Sequence, residues 1–125
     1  MKAKFTYAGI RVTELERSIE FYTKLLGMKV QGRGKIPQTK GETVGLWSED
    51  EGFLLELNYY EADSPYYTKY SSGEALDHLG FKVENLDKAL EEVRSMGYET
   101  LADITSDGGR WAYIEDPNGI WIELN

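Results

Sequence analysis

The chain of 125 residues carries 22 acidic against 14 basic side chains, and this net charge of −8 excludes the basic face that nucleic-acid binding requires. Hydrophobic residues make up 41% and charged residues 29%, a globular balance sufficient for one domain or two small modules sharing a core. The lack of cysteine excludes disulfides, thiolate metal sites and thiol nucleophiles, and no stretch has the length and apolarity of a signal peptide or membrane span. A cytoplasmic protein with neither nucleic-acid nor membrane partners is the expectation.

In chain order, "YAGIRV" (7–12) is a short apolar-rich run of strand length. Leu15, Ile19, Tyr22 and Leu26 then recur at the spacing of one face of an amphipathic helix, and Gly27 stands where a left-handed C-cap is wanted. Glycine and polar clusters within 32–45 divide the next segment into strands, and "GFLLELN" (52–58) closes the first half as an apolar strand with a carboxylate in its middle. A Tyr-rich connection, "YYEADSPYYTKYSSGEA" (59–75), follows.

The second half repeats the first. His78 to Val83 matches the opening strand, with Gly80 on Gly9, Lys82 on Arg11 and Val83 on Val12. Leu86, Leu90 and Val93 give the helical face, Gly97 the C-cap, and "SDGG" (106–109) a break between strands. "EDPNG" (115–119) is a turn into "GIWIELN" (119–125), the counterpart of "GFLLELN". The pattern predicts an α+β fold of two tandem βαβββ modules with mixed sheets cupped around a shared cavity. Their bounds are about 1–60 and 75–125, with a linker at about 61–74, in one domain spanning 1–125.

Strand alternation assigns the side chains to faces. Ala8, Ile10, Val12, Leu55 and Leu57 point to the first helix; Leu79, Phe81, Val83, Ile122 and Leu124 point to the second. Tyr7, Glu56, His78 and Glu123 are left on the opposite faces. Singly, a strand glutamate is an ordinary solvent-facing residue, and His78 an ordinary structural or surface histidine. Recurring in register, two carboxylates and an imidazole compose an oxygen-rich site for a divalent metal if the two faces meet. Arg11 and Lys82 occupy matching positions, as anion-holding groups or as plain surface charges, and the tyrosines and tryptophans supply pocket walls or core mass.

The segments "IRVTELERSIEFYTKLLGMKV", "LLELNYY", "DHLGFKV" and "EDPNGIWIEL" together resemble the vicinal oxygen chelate superfamily (glyoxalase, bleomycin resistance and extradiol dioxygenase proteins), above all the small lactoylglutathione lyases. The resemblance implies a metal-dependent lyase or isomerase acting on an α-hydroxy-carbonyl or hemithioacetal through a metal-stabilised enediolate. It also implies one divalent ion per site (nickel, cobalt, manganese or zinc), a homodimer and a small-molecule substrate. By position it makes Glu56, His78 and Glu123 metal ligands, with Glu56 or Glu123 as catalytic base and Arg11 as a substrate contact; Lys82, at the position matching Arg11, and the aromatics Tyr60 and Trp111 are the further candidate substrate contacts. Tyr7 stands where the family places its first ligand, a histidine or glutamine, and is carried as an optional further ligand. Tyr60 replaces an asparagine of the family, and "SDGG" lacks its lysine, which weighs against glutathione as the thiol. His78 is the only histidine, and an extradiol iron site needs two. The alternative within the family is a metal-free, bleomycin-resistance-type protein that sequesters an aromatic or cationic molecule.

Overall fold

The computed structural model of the protein describes residues 1–2, 6–48, 53–74, 76, 78–106 and 108–125. Gly52 at the head of the first Glu-Leu-Asn strand, Ala75 and Asp77 before His78, and Asp107 of the Ser-Asp-Gly-Gly break lie outside the described residues. Two compact units divide the chain, Met1–Tyr70 and Ser71–Asn125.

The first unit runs β1 (Tyr7–Arg11), α1 (Leu15–Glu20), β2 (Lys29–Ile36), β3 (Gly41–Trp47) and β4 (Leu54–Tyr60); the second runs β5 (His78–Phe81), α2 (Leu86–Ser95), β6 (Thr100–Ser106), β7 (Gly109–Glu115) and β8 (Trp121–Leu124). Each is βαβββ, and each folds into a four-stranded mixed sheet of the same order, β1-β4-β3-β2 and β5-β8-β7-β6. The first and last strands of each unit pair in parallel, because the helix between them acts as a crossover. The remaining pairs are antiparallel. This is the α+β tandem-module architecture that the repeated sequence predicts.

The buried face of each sheet is the one that alternation assigns. Ile10, Val12, Val44, Leu46, Leu55 and Leu57 are buried in the first unit, and Ala112, Ile114, Ile122 and Leu124 in the second. Burying a side chain of this size contributes about 1.5–3 kcal/mol, so these rows dominate what holds helix to sheet. In the first unit the buried helical residues are Leu15, Ser18, Phe21 and Tyr22. Ile19 and Leu26, expected on the same stripe, are half-buried. For Leu26 the reason lies in the helix end, where α1 widens into a π-helical turn over Phe21–Leu25, with the Leu26 amide reaching back to the Phe21 carbonyl at 3.3 Å. The extra residue per turn rotates Leu26 off the stripe. In α2, Asn85 caps the N-terminus by accepting from the Lys88 amide at 3.0 Å, and Leu90 and Val93 are buried as expected. Gly27 and Gly97 follow their helices at φ 71° and 85°, the left-handed C-caps that the sequence predicts.

Two guanidinium groups fasten helix to sheet. Arg33 on β2 pairs with Glu16 in the first turn of α1 and with Glu42 on β3. Arg110 on β7 bridges Asp87 in the first turn of α2 and Asp103 on β6. The segment 61–70 joins the first unit. The Glu61 amide donates to the Lys40 carbonyl at 2.9 Å, Lys40 pairs with Asp63, and the Ser64 hydroxyl donates to the Thr39 carbonyl at 2.5 Å.

Candidate functional site

In the first unit the register sets Gly9 and Gly45 on either side of Glu56, with Tyr7 beside Leu54 and Arg11 beside Asn58. Glu56 is thus on the face away from α1, half-buried, between two residues without side chains. Gly9 leaves the space beside Glu56 open. A Cβ at that position would sit 2.9 Å from the Asn58 amide nitrogen and 3.8 Å from the Glu56 carboxylate. Asn58 itself donates to the main-chain carbonyl of Glu56 at 3.3 Å and leaves the carboxylate alone. Tyr7, at 48% exposure, lies one step along the same face.

The second unit repeats this register with different neighbours. Gly80 and Tyr113 flank Glu123, and His78 stands beside Trp121. The Tyr113 hydroxyl donates to Glu123 Oε2 at 3.0 Å, and the Asn125 amide donates to Glu123 Oε1 at 2.8 Å. His78 Nε2 lies 3.5 Å from Glu123 Oε2. The His78 and Tyr113 rings meet edge to face at 5.5 Å, and the Trp121 ring lies 5.5 Å from that of Tyr113 at a tilt of 48°. An imidazole and a carboxylate are therefore placed together by an aromatic backing.

The Asn125 amide, then the Tyr113 hydroxyl and the charge of His78, hold the Glu123 carboxyl below the ordinary glutamate value of 4.5, with desolvation opposing them. A carboxyl whose folded-state value is depressed adds stability that is complete above the unfolded value and is lost as pH falls through the folded one. In metal-free protein the gap in melting temperature between wild type and Glu123→Gln is expected to be widest near roughly pH 7 and to close towards roughly pH 3. Thermal melts of both proteins across that range check it, and a gap that widens in acid would contradict the assignment.

Of the expected substrate contacts, Arg11 and Tyr60 come together. The Arg11 guanidinium lies 4.8 Å over the Tyr60 ring and donates to the Tyr66 carbonyl at 2.8 Å. These two line a shallow pocket with Asn58, Tyr67, Lys69 and Tyr70. Trp111 is half-buried on β7, on the face shared by Tyr113 and Glu123, while Lys82 is exposed one residue beyond β5. Tyr7 and Glu56 thus belong to the first unit, and His78 and Glu123 to the second. Among the described residues no group of three or more His, Cys, Asp or Glu side chains is gathered as for a metal ion. Sequence reasoning missed Lys69 and the roles of Tyr113 and Asn125. Asn125 shares the face of Glu123 by alternation alone, but Tyr113 is found only once the β7–β8 register is known.

Comparison with known proteins agrees with this geometry. Residues 4–124 match the family model of the Glyoxalase/Bleomycin resistance protein/Dioxygenase superfamily. The chain is 36% identical to a lactoylglutathione lyase of Escherichia coli O157:H7, over 97% of this chain and 90% of that protein. It is 31% identical to the lactoylglutathione lyase of Oryza sativa, over 98% of this chain but 43% of the rice protein. A chloroplastic relative in Arabidopsis thaliana is likewise matched over 35% of its length, so the chain spans less than half of these plant relatives. Among solved structures, the trypanothione-dependent glyoxalase I of Leishmania major superposes with a TM-score of 0.79 at 32% identity, covering 98% of this chain and 86% of that one. No helix among the described residues is long and apolar enough to cross a membrane. Two sheets of one order, a glutamate at one register position in each and a match over nearly the whole length have a single reading: the chain belongs to the glyoxalase/bleomycin resistance/dioxygenase superfamily.

Proposed function

We propose that this protein is a glyoxalase I-type lyase that moves a proton between adjacent carbons of an α-hydroxy-carbonyl or hemithioacetal. The carrying observation is the recurrence of a glutamate opposite a glycine in both parallel strand pairs, Gly9 with Glu56 and Gly80 with Glu123, with His78 at 3.5 Å from the second carboxylate. Relatives named lactoylglutathione lyase support the reaction class.

The donor set fits a first-row divalent ion. A histidine nitrogen set beside a carboxylate oxygen in the second unit, and a second carboxylate in the first, are the hard and borderline donors that nickel, cobalt, manganese and zinc accept. Glu56, His78 and Glu123 would hold it, with Tyr7 as an optional further ligand, the two faces coming from one chain or from the two copies of a homodimer. The exposed Tyr7, Trp47, Phe53 and Trp121 support that dimer. Bound there, the ion supplies a positive centre that stabilises negative charge developing on two neighbouring substrate oxygens. The chain's own groups do the rest. The carbon bearing hydroxyl and sulfur gives its proton to a glutamate, Glu56 or Glu123, which returns it to the former carbonyl carbon. The hydroxyl proton passes from its own oxygen to the neighbouring one as the carbonyl moves across, so atoms balance with no oxidant. Arg11, Tyr60, Lys82 and Trp111 are the proposed substrate contacts.

The aromatic cluster of His78, Tyr113 and Trp121 also favours a second reading, a metal-free binder of an aromatic or cationic molecule. Ion titration of metal-free protein separates the two. At about 100 times its dissociation constant a bound ion stabilises the fold by roughly 2.7 kcal/mol, so the melting temperature should rise by about 10 °C. The loaded protein should then isomerise methylglyoxal–thiol adducts. An unchanged melting curve with all four ions would remove the lyase reading and leave the binder.

A further inference from the structure

The segment 61–70, which reads in the sequence as a linker, is built into the first unit as one wall of a pocket. Ser64 anchors it: buried, it donates to the Thr39 carbonyl through Oγ, and the same oxygen accepts from the Tyr66 amide at 3.1 Å. The Tyr67 amide closes a turn onto the Ser64 carbonyl at 3.1 Å, with Pro65 at the position where such a turn prefers proline. Lys40 holds the preceding residue, Asp63, as an ion pair. So anchored, the segment sets the Tyr66 carbonyl against Arg11 and brings Tyr67, Lys69 and Tyr70 to the shallow pocket that Arg11, Asn58 and Tyr60 line from the sheet.

Charge in this pocket is unbalanced. Arg17, Arg33 and Arg110 each face a carboxylate, whereas Arg11 faces the Tyr60 ring and the neutral Tyr66 carbonyl. Lys69 is exposed, and among the described residues no aspartate or glutamate lines the pocket with it. Two cations gathered without a carboxylate, on a chain of net charge −8, call for an anion from outside. Their place fixes which part of a substrate brings it. Asn58 lies two residues beyond Glu56 on the same face, about 7 Å at the rise of a β-strand, so the pocket receives the tail of a molecule whose reacting carbons lie at the glutamate. An ammonium on that tail would meet two like charges and no partner of opposite sign. We propose that this pocket selects the thiol half of the hemithioacetal: it takes a tail that ends in carboxylate and carries no ammonium, with Lys69 as the specificity-determining residue beside Arg11. This rests on the glyoxalase I-type reading above, which leaves the thiol open. Tyr60, Tyr67 and Tyr70 give the methylenes of such a tail an apolar wall.

The test compares two thiols that differ only in that group, glutathione and its des-amino form, glutaryl-cysteinylglycine, each as its methylglyoxal adduct with the ion-loaded whole chain. The des-amino adduct is expected to have the higher kcat/KM by roughly five-fold, the upper range for an exposed charge contact. Raising salt from about 0.05 M to about 0.5 M should shrink that preference, because exposed charges are screened. Lys69→Ala should bring the two thiols close to equality, through KM more than kcat, and Lys69→Arg should restore the difference. Lys69 is exposed, so both variants keep the fold, which thermal melts verify. Calorimetry with the S-methyl derivatives of the two thiols reads the same preference without turnover. Adducts handled equally by wild type, or a preference that Lys69→Ala leaves untouched, would overturn the proposal and leave the lyase reading in place. Turnover of neither adduct would overturn the lyase reading instead. The S-methyl affinities then decide the pocket alone: a preference for the des-amino form that is lost in Lys69→Ala upholds its charge selectivity, and equal binding overturns it.

Discussion

Replacing Glu56 by glutamine is expected to lower turnover of a methylglyoxal–thiol adduct by roughly 10²–10⁴-fold, the range over which a positioned general base acts. The substitution is nearly isosteric and keeps an oxygen acceptor, so the β1–β4 pairing and the Asn58 contact to the residue's own backbone carbonyl are left intact. What it removes is the ability to take up a proton. Because the amide fills the same space between Gly9 and Gly45, substrate binding should hold and the loss should fall on kcat more than on KM. Glu123→Gln is the matching test of the other candidate base: a loss that excess ion restores in either variant marks a ligand, and one that excess ion does not restore marks the base. Steady-state kinetics at two ion concentrations distinguishes the two variants. Turnover within ten-fold of wild type in Glu56→Gln would take the base role away from this residue.

The largest effect on stability is expected at Asp116. Its side chain is 4% exposed and organises the turn between β7 and β8. Oδ1 accepts from the amides of Asn118 and Ile120, both at 2.8 Å, and Oδ2 accepts from the Asn118 side chain at 2.8 Å. The Asp116 amide closes the loop onto the Ile120 carbonyl at 2.9 Å, and Gly119 takes the left-handed conformation at φ 83° that the reversal needs. Asp116→Ala removes three acceptor contacts and leaves the amide of fully buried Ile120 without its partner. Losing hydrogen bonds to a charged acceptor and stranding a buried donor should cost roughly 3 kcal/mol, a fall in melting temperature of about 10–15 °C. Asp116→Asn keeps an oxygen for the two backbone amides and should lose less. Urea and thermal unfolding of the three proteins checks the order. Since the turn feeds directly into β8, the alanine variant should also release Glu123 from register, with ion affinity falling alongside stability.

The repeat made the architecture legible in the sequence. Gly9 and Gly80, Gly27 and Gly97, and the two Glu-Leu-Asn strands place each element twice, and a wrong reading of one copy would conflict with the other. Period-two alternation was enough to put Glu56 and Glu123 on the faces away from the helices, where the structure has them. Leu26 shows where periodicity fails, because an ideal helix is assumed and the π-helical turn at Phe21–Leu25 breaks the count. Tyr113 shows another limit. Alternation within β7 gives its face, but its meeting with Glu123 depends on the β7–β8 register, which follows from the turn that Asp116 organises. Arg11 illustrates a third. Its match to a substrate-holding arginine is visible in the sequence, yet its hydrogen bond to the Tyr66 carbonyl arises from a segment that reads as a linker.

The parallel pairing of first and last strands has a topological corollary. Tyr7 lies beside Leu54 and Arg11 beside Asn58, so the chain enters the first unit at one end of this strand pair and leaves it at the other. His78 beside Trp121 and Phe81 beside Leu124 repeat the arrangement in the second. Each unit is thus threaded in one direction, like a bead on a string, and its entry and exit are never at the same edge. A further bead can be strung on without cutting a ladder or rerouting a loop. A motif built this way can be extended by copying itself, because neither end of the strand pair has to be reopened.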